Sequence, residues 1–267
     1  MPPLPPQRDA GGEVLYDVAD GVATLTINRP ERRNSMTQAV VQGLRALVAR
    51  AGADDSVRVL VLSGQGDRAF CSGVDLSGGD EGGFLGDHAG RGELPGLFND
   101  LWGLGKPTIA RVRGFALAGG FGLALACDLV VAADDAVFGA PEVNVGLWPY
   151  VITVPLVRSM PPKLALELMM TGRRVGAEEA RSIGFVNRVT SAGGLDAAVA
   201  DLVRQLGAAS PLVMKMGRDS FYSVWDLPAE AALRYLHAQL SLTTLTEDAR
   251  EGMAAFNEKR PPVWKGR

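Results

Sequence analysis

One segment carries most of the structural information in this chain: Lys106-Pro-Thr-Ile-Ala-Arg-Val-Arg-Gly-Phe-Ala-Leu-Ala-Gly-Gly-Phe-Gly-Leu-Ala-Leu-Ala-Cys-Asp-Leu-Val-Val-Ala-Ala133. Its pattern predicts a β-branched strand, a glycine turn, a short apolar helix and a second buried strand. Gly119 and Gly120 fall where that helix begins. The first N–H groups of a helix lack partners within it and carry the positive end of its dipole. Since glycine lets a ligand approach the backbone, this turn can stabilise negative charge on an oxygen.

A carboxylate follows this segment, in the stretch Phe138-Gly-Ala-Pro-Glu142. A turn that polarises an oxygen, combined with a carboxylate, can move protons at the carbon beside a carbonyl. The residues alone leave a second interpretation open. In that interpretation the glycines only allow tight helix packing, and Glu142 is a surface acid.

Composition indicates a globular protein of about one large domain. The chain has 267 residues, of which 47% are hydrophobic, and a formal net charge of −3. An acidic chain offers no general attraction to nucleic acid or anionic lipid. The longest uncharged apolar run, residues 114–127, is too short and too rich in glycine to span a membrane. The two cysteines, Cys71 and Cys127, suggest no disulfide framework. We therefore expect a cytoplasmic protein that binds neither nucleic acid nor membranes.

Several other catalytic motifs are incomplete. Gly114 and Gly119 have the spacing of a phosphate loop, but Gly120 and Phe121 replace its lysine and hydroxyl residue. No Gly-x-Ser-x-Gly sequence is present, and the chain has only two histidines. The histidines and cysteines are not clustered as a metal site requires. We expect no metal ion and no nucleotide cofactor.

Hydrophobic periodicity predicts an α/β core followed by a helical C-terminal third. In the core it predicts a strand over 21–27, a helix over about 37–50 and a buried strand over 57–63. Later segments have helical spacing, at 163–170, 177–183, 195–208, 229–241 and 247–259, with an extended piece near 185–189. The predicted organisation is a disordered N-terminal tail (1–12), an α/β core (13–200) and a helical C-terminal region (201–267).

Five motifs, in this order along the chain, resemble those of the crotonase, or enoyl-CoA hydratase/isomerase, superfamily. They are Asn28-Arg-Pro-Glu-Arg-Arg-Asn-Ser-Met36, Ala69-Phe-Cys-Ser-Gly-Val-Asp-Leu76, Lys106-Pro through Cys127-Asp128, Phe138-Gly-Ala-Pro-Glu142 and Glu251-Gly-Met-Ala-Ala-Phe-Asn-Glu-Lys-Arg260. The resemblance covers nearly the whole chain. It implies an α/β crotonase (ClpP-like) fold, in which repeated ββα units form a spiral core. It also implies trimers, or hexamers of two trimers, mediated by the helical C-terminal region.

The resemblance implies an acyl-CoA thioester substrate, with coenzyme A as part of the substrate and no separate cofactor. It assigns catalytic roles to Glu142 and to the N–H groups of Val74 and Gly119, which would hold the thioester oxygen and stabilise an enolate. Further substrate contacts are implied at Gly73, Asp75, Gly120, Gly122, Trp148 and Tyr150. Contacts with the CoA portion are implied at Arg32, Arg33, Phe256 and Lys259.

The chain departs from the family pattern at two positions. Hydratases of the family carry a second glutamate where this chain has Gly122. Adding water calls for two acid–base groups, whereas moving a double bond can use one. We therefore favour double-bond isomerisation with Glu142 as the proton shuttle, its pKa raised by an apolar pocket. At the second position, Tyr150 replaces the start of a glycine-rich turn found in relatives. Three roles stay open for its side chain: it narrows the pocket, it donates a hydrogen bond from its phenol, or it only packs.

Two alternatives stay open. The first is an enoyl-CoA hydratase that uses a substitute second acid from the loop that follows the second strand. The candidates are Asp80, Glu81, Asp87 and Glu93, and His88 lies in the same loop. The second is an acyl-CoA-binding protein without catalysis, against which the retained Glu142 argues.

Overall fold

A computed structural model describes residues 7–8, 11–75, 90 and 92–267 of the chain. The strands among these residues are β1 Gln7–Arg8, β2 Val14–Ala19, β3 Val22–Ile27, β4 Val59–Gly64, β5 Ala69–Cys71, β6 Thr108–Val112, β7 Phe115–Leu117, β8 Leu129–Ala133, β9 Val137–Gly139, β10 Arg174–Gly176 and β11 Arg188–Thr190. The α-helices are α1 Gln38–Ala53, α2 Glu93–Trp102, α3 Gly119–Ala126, α4 Tyr150–Ser159, α5 Pro162–Thr171, α6 Ala177–Ile183, α7 Leu195–Gly207, α8 Pro211–Val224, α9 Ala229–Thr244 and α10 Glu247–Glu258.

The strands form two sheets, with the orders β1-β2-β3-β4-β6-β8-β11 and β10-β9-β7-β5. Three consecutive units each contribute one strand to the larger sheet, one strand to the smaller sheet and then a helix. They are β4-β5-α2, β6-β7-α3 and β8-β9-α4. The predicted repetition of ββα units is therefore confirmed.

The larger sheet is buried on both faces at its centre, which explains the nearly continuous apolar sequence of β4. Successive side chains of a strand point to opposite faces. Leu60 and Leu62 accordingly join the core on the side of the smaller sheet. Val59 and Val61 join a second core on the opposite face, where α7 packs with Val199.

Several predicted elements have nearly the observed bounds, whereas two helices do not follow from the periodicity. The first, α4, contains β-branched residues and Pro155, which disfavour an isolated helix. It is held by tertiary packing, because Ile152, Pro155 and Leu156 are buried. The second, α8, begins at Pro211 after Ser210, whose side chain accepts a hydrogen bond from the N–H of Val213.

Two elements lie at the predicted limits of the α/β core. Gln7–Arg8, which falls within the predicted disordered tail, pairs with β2 in an antiparallel ladder. Residues 1–6 and 9–10 of that tail lie outside the described residues. The predicted limit at residue 200 falls inside α7, whose Leu195, Val199 and Leu202 are buried against the larger sheet.

A buried ionic network joins α8 to the core. Arg218, which is 8% exposed, donates from Nε to Asp128 at 2.8 Å and from its terminal nitrogens to the carbonyls of Leu101 and Trp102. The Tyr222 hydroxyl donates to the other carboxylate oxygen of Asp128 at 2.5 Å. Because a buried charge is costly without its partner, this network fixes where α8 lies. Within the described residues, no helix has the length and apolar character needed to cross a membrane.

Candidate active site

Three parallel strands of the smaller sheet end side by side, and the segment that follows each strand contains a predicted catalytic residue. β5 pairs with β7, and β7 pairs with β9, in parallel register. Val74 follows β5, Gly119 follows β7, and Glu142 follows β9. The N–H of Ala118 also donates to the carbonyl of Gly139 at 2.9 Å. Ligands in open parallel sheets bind at the carboxyl ends of the strands, so this edge is the candidate site.

The turn into α3 presents free N–H groups. The carbonyl of Ala118 accepts hydrogen bonds from Phe121 and Gly122, at 2.9 and 3.2 Å, and so begins the helix. In the described part of the chain, the N–H groups of Gly119 and Gly120 have no acceptor. Ala118 has a φ of 50°, a strained value for a residue with a side chain, and such strain persists where the surrounding structure imposes it.

Gly120 serves close packing as well as the turn. A Cβ atom on Gly120 would overlap the carbonyl oxygen of Cys71 and lie 2.8 Å from its carbonyl carbon.

Burial raises the pKa of the Cys71 thiol to about 12. The thiol therefore stays protonated near neutral pH and is not a nucleophile at this site.

The second predicted donor, the N–H of Val74, is left free by a short backbone pairing. The N–H of Met36 donates to the carbonyl of Gly73 at 2.8 Å, and the N–H of Asp75 donates to the carbonyl of Met36 at 2.9 Å. These bonds use the groups on either side of Val74 and not its own N–H, which has no acceptor among the described residues. A Cβ on Gly73 would lie 3.5 Å from the nitrogen of Gly119, so the two donor segments are in contact.

Arg29 and Asp75 support the Val74 segment. The Arg29 guanidinium contacts Asp75 at 3.1 Å, Glu13 at 2.8 Å and the carbonyl of Ser35 at 2.6 Å. The sequence predicts a substrate contact for Asp75, whereas the structure pairs its carboxylate with Arg29 and the Ser35 hydroxyl. Asp75 thus positions its neighbour Val74.

Asn34, which belongs to the first of the five motifs, is a buried positioning residue. Its amide donates to the carbonyls of Gln65 and Ala69, at 3.0 and 2.7 Å, and accepts from the N–H of Arg29. The side chain that actually caps α1 is Thr37. The φ of Asn34 is 54°, a value that asparagine tolerates better than most residues. That preference is the sequence signal that could have found it.

Glu142 lies in a short 3₁₀ helix, Pro141–Val145, directly after β9. Its Oε2 atom is buried and has no hydrogen-bond partner among the residues that the structure describes. Burial raises the pKa of the Glu142 carboxyl above its ordinary value. An unpaired carboxylate with a raised pKa is suited to accepting and returning a proton.

Gly122, where family hydratases carry a second glutamate, has no room for a side chain. A Cβ on Gly122 would overlap Cγ2 of Ile152 and lie 2.8 Å from its Cβ and 3.1 Å from Cζ of Phe98. Both Ile152 and Phe98 are 2% exposed. Helix α4 therefore packs directly against α3 at this glycine.

Two glycine-to-alanine substitutions should have opposite effects on stability. Gly122→Ala overpacks the contact with Ile152 and should lower the free energy of unfolding by about 1–3 kcal/mol. Gly217→Ala is the matched control, because Gly217 is an exposed helical residue with open space around a new Cβ. It should raise the free energy of unfolding by roughly 0.5–1 kcal/mol. Urea denaturation measures both, and a Gly122→Ala variant as stable as the natural chain would contradict the packing described.

Glu93, a predicted substitute acid, is committed elsewhere. It forms an ion pair with Arg45 at 2.7 Å, and Arg45 also holds Asp100. This pairing with Arg45 lowers the pKa of the Glu93 carboxyl. Asp80, Glu81, Asp87 and His88 lie outside the described residues.

The remaining predicted binding residues differ in exposure. Trp148 is partly buried and packs against the core. Tyr150 is 78% exposed, so its side chain is not packed within the described part of the single chain. Phe256 is 84% exposed on α10, and Lys259 ends that helix with a φ of 54°. Arg32 and Arg33 are exposed. Within one chain, the structure brings Val74, Gly119 and Glu142 to one edge and leaves the Phe256 and Tyr150 side chains open to solvent.

Comparison with known proteins finds relatives of this chain in sequence and in fold. The sequence profile of the enoyl-CoA hydratase/isomerase family matches residues 17–267. Carnitinyl-CoA dehydratase of Escherichia coli K12 is 36% identical over 263 residues, covering 96% of this chain and 99% of that protein. An enoyl-CoA hydratase structure from Mycobacterium smegmatis superposes with a TM-score of 0.91 at 34% identity, covering 94% of this chain and 98% of the other. One from Bacillus anthracis gives 0.91 at 28% identity, with coverages of 96% and 100%.

Proposed function

The chain belongs to the enoyl-CoA hydratase/isomerase family, and within that family we propose that it isomerises the double bond of an enoyl-CoA. The observation that carries the proposal is the contrast between two positions. Glu142 has a buried carboxylate oxygen without a partner in the described part of the chain, whereas the place for a second carboxylate at Gly122 is filled by Ile152 and Phe98. One proton-transferring group is sufficient for isomerisation and is one fewer than water addition calls for.

In the proposed reaction, the N–H groups of Val74 and Gly119 donate to the thioester oxygen of a β,γ-unsaturated acyl-CoA. Glu142 takes a proton from the α-carbon, and the electron pair of that C–H bond moves toward the thioester oxygen. The resulting dienolate is stabilised by the two N–H groups. Glu142, now protonated, returns the proton to the γ-carbon, and the double bond moves into conjugation with the thioester.

Water addition or removal is the second candidate reaction. It is favoured by the names of the similar proteins, one a carnitinyl-CoA dehydratase and others enoyl-CoA hydratases. For this chain, that reaction calls for an acid–base group besides Glu142. Glu93 is held by Arg45 and is a poor candidate. A binding protein without catalysis is disfavoured because an unpaired buried carboxylate costs stability and serves no purpose in binding alone.

The assembly and the CoA contacts are part of the proposal. We propose that the helical C-terminal region mediates a homotrimer or a hexamer of two trimers. Supporting this, α9 has no buried residue in the single chain and exposes apolar side chains. They include Leu233, Leu240 and Leu242, and Leu245 directly after the helix is exposed as well. Arg32, Arg33, Phe256 and Lys259 are proposed to bind the CoA portion, Phe256 and Lys259 from a neighbouring subunit.

Ultraviolet absorbance tests the proposal. The purified protein is incubated with β,γ-unsaturated acyl-CoA thioesters of several chain lengths and, in parallel, with their α,β-unsaturated isomers. We expect the absorbance of the conjugated thioester to appear with the first set. Isomerisation is rejected if this absorbance does not appear with the β,γ-unsaturated thioesters. If, in addition, the absorbance of the α,β-unsaturated thioesters is lost, the hydratase alternative is supported.

The rate of isomerisation should fall on the acid side of the pH profile. Only the carboxylate form of Glu142 can accept a proton, and burial raises the pKa of this group. As the pH drops through that raised pKa, kcat/KM should fall about tenfold per pH unit. Initial rates measured from about pH 4 to pH 9 locate this limb. An acid limb at or below the ordinary glutamate pKa of about 4.3 would contradict the proposed role.

A further inference from the structure

The contact between α3 and α4 beside Gly122 is formed mainly by one side chain, Ile152. We infer that Ile152 determines the reaction outcome, because its side chain occupies the space that a second acid would need and keeps that side of the site dry. Ile152 is a specificity-determining residue for isomerisation over water addition. This inference rests on the proposed function and adds to it the residue that excludes the competing reaction.

The geometry shows how completely this space is filled. A Cβ on Gly122 would overlap Cγ2 of Ile152, with the Ile152 Cβ at 2.8 Å and the Phe98 ring at 3.1 Å. Even an alanine at position 122 would fit only if Ile152 moved. A glutamate side chain at this position is therefore blocked by Ile152. Ile152 and Phe98 belong to the buried core, which leaves little freedom for such a shift.

The sequence holds Ile152 in place although α4 is a poor helix by propensity. Pro155 has no N–H for the helix, and Val151, Thr153 and Val154 are β-branched. The Thr153 hydroxyl donates to the carbonyl of Pro149 at 2.9 Å, within the first turn. The buried Ile152 and Leu156 anchor the helix to the core. Since a smaller residue at position 152 would remove this anchor beside Gly122, the glycine and the isoleucine form one packing unit.

The Phe98 ring is the second side chain that fills this contact. Phe98 lines one side of a surface groove of about 720 Å³, together with Trp102, Val151 and Val154. Its ring tip approaches Gly122 on the other side. A bound water needs two to four polar partners, and the side chains of Ile152 and Phe98 offer none. These two side chains therefore give a water molecule no hydrogen-bonding partner at this contact.

A pair of double variants tests the inference in the full-length protein. Gly122→Glu/Ile152→Gly exchanges the small and large residues and adds a carboxylate. Gly122→Gln/Ile152→Gly has nearly the same shape without the charge. The single variant Gly122→Glu keeps the obstruction. Each protein is checked by thermal unfolding and then incubated with α,β-unsaturated acyl-CoA, while the hydrated thioester is measured by mass spectrometry.

We expect the Glu double variant to form hydrated product at least about 100-fold faster than the natural chain and the Gln double variant. We expect the single variant to form none above background. Should the single variant hydrate as well as the double variant, Ile152 is not the obstruction and the inference fails. It also fails if the folded Glu double variant isomerises but does not hydrate. If either double variant does not fold, the single variant Ile152→Gly replaces both and is measured with and without added formate, a small carboxylate that can enter the vacated space. Hydration no faster with formate than without it would then overturn the inference.

The proposed function is tested separately in the same samples. Isomerisation by the natural chain and its loss in Glu142→Gln depend on Glu142 and not on position 152. If both are observed while the double variants show no hydration, only the inference about Ile152 is overturned. If the natural chain itself hydrates the substrate and does not isomerise it, the proposed function is overturned.

Discussion

Replacing Glu142 by Gln should lower kcat for isomerisation of a β,γ-unsaturated acyl-CoA by about 10²–10⁴-fold. Glutamine has nearly the same shape as glutamate but cannot take a proton from the α-carbon. The buried Oε2 atom of Glu142 has no partner within the described residues, so the substitution breaks no hydrogen bond to them at that atom. Stopped-flow or steady-state absorbance of the conjugated product measures the rate, and isothermal titration with a saturated acyl-CoA measures binding.

The thermal stability of the same variant, measured as a function of pH, tests whether the pKa of Glu142 is raised. Burial raises the pKa of Glu142 in the folded state, so the folded protein is favoured when this group is protonated. That contribution is complete below the pKa of the unfolded state and is lost as the pH rises through the folded-state pKa. Glu142→Gln should therefore have a higher Tm than the natural chain at neutral pH, and the gap should close in acid. An unchanged isomerisation rate in a folded Glu142→Gln variant would rule out the proton shuttle.

Replacing Val74 by Pro should lower kcat/KM for isomerisation by about 10²–10³-fold. Proline has no N–H, so the variant loses one of the two donors proposed to hold the thioester oxygen. The backbone pairing of this segment uses the Gly73 carbonyl and the N–H of Asp75, and neither bond involves the N–H of Val74. The loss should therefore fall on catalysis, measured as initial rates on a β,γ-unsaturated acyl-CoA.

Val74→Ala is the matched control for the proline variant. It truncates a side chain that is 48% exposed and keeps the backbone N–H. Its rate should stay within a few-fold of the natural chain. Equal losses in the alanine and proline variants would assign the effect to the side chain and contradict the role of the N–H group.

Periodicity predicted the elements whose burial pattern is regular along the sequence. The apolar stripe of α1 and the buried run of β4 gave bounds within a few residues of those observed. The helix over 177–183 agrees with α6 at both ends. By contrast, α4 was not predicted because its stability comes from the packing of Ile152 against Gly122, and that contact joins residues distant in the sequence.

The candidate site was predictable to the extent that it depends on local sequence. A glycine turn at the start of a helix indicated Gly119, and the position of Glu142 after an apolar strand indicated the carboxylate. The role of Val74 came only from the family resemblance, because the freedom of its N–H depends on a pairing with Met36 in another loop. Asp75 and Asn34 show the same limit, since their partners Arg29, Gln65 and Ala69 are set by the fold.

The most direct test of single-carboxylate isomerisation is the mass of the product formed in H₂¹⁸O. The natural protein is incubated with a β,γ-unsaturated acyl-CoA in this solvent, and the acyl-CoA pool is followed over time. We expect a conjugated thioester with the mass of the substrate and no ¹⁸O in the acyl group. A principal product that is heavier by one labelled water would show that the enzyme hydrates, and would contradict single-carboxylate isomerisation.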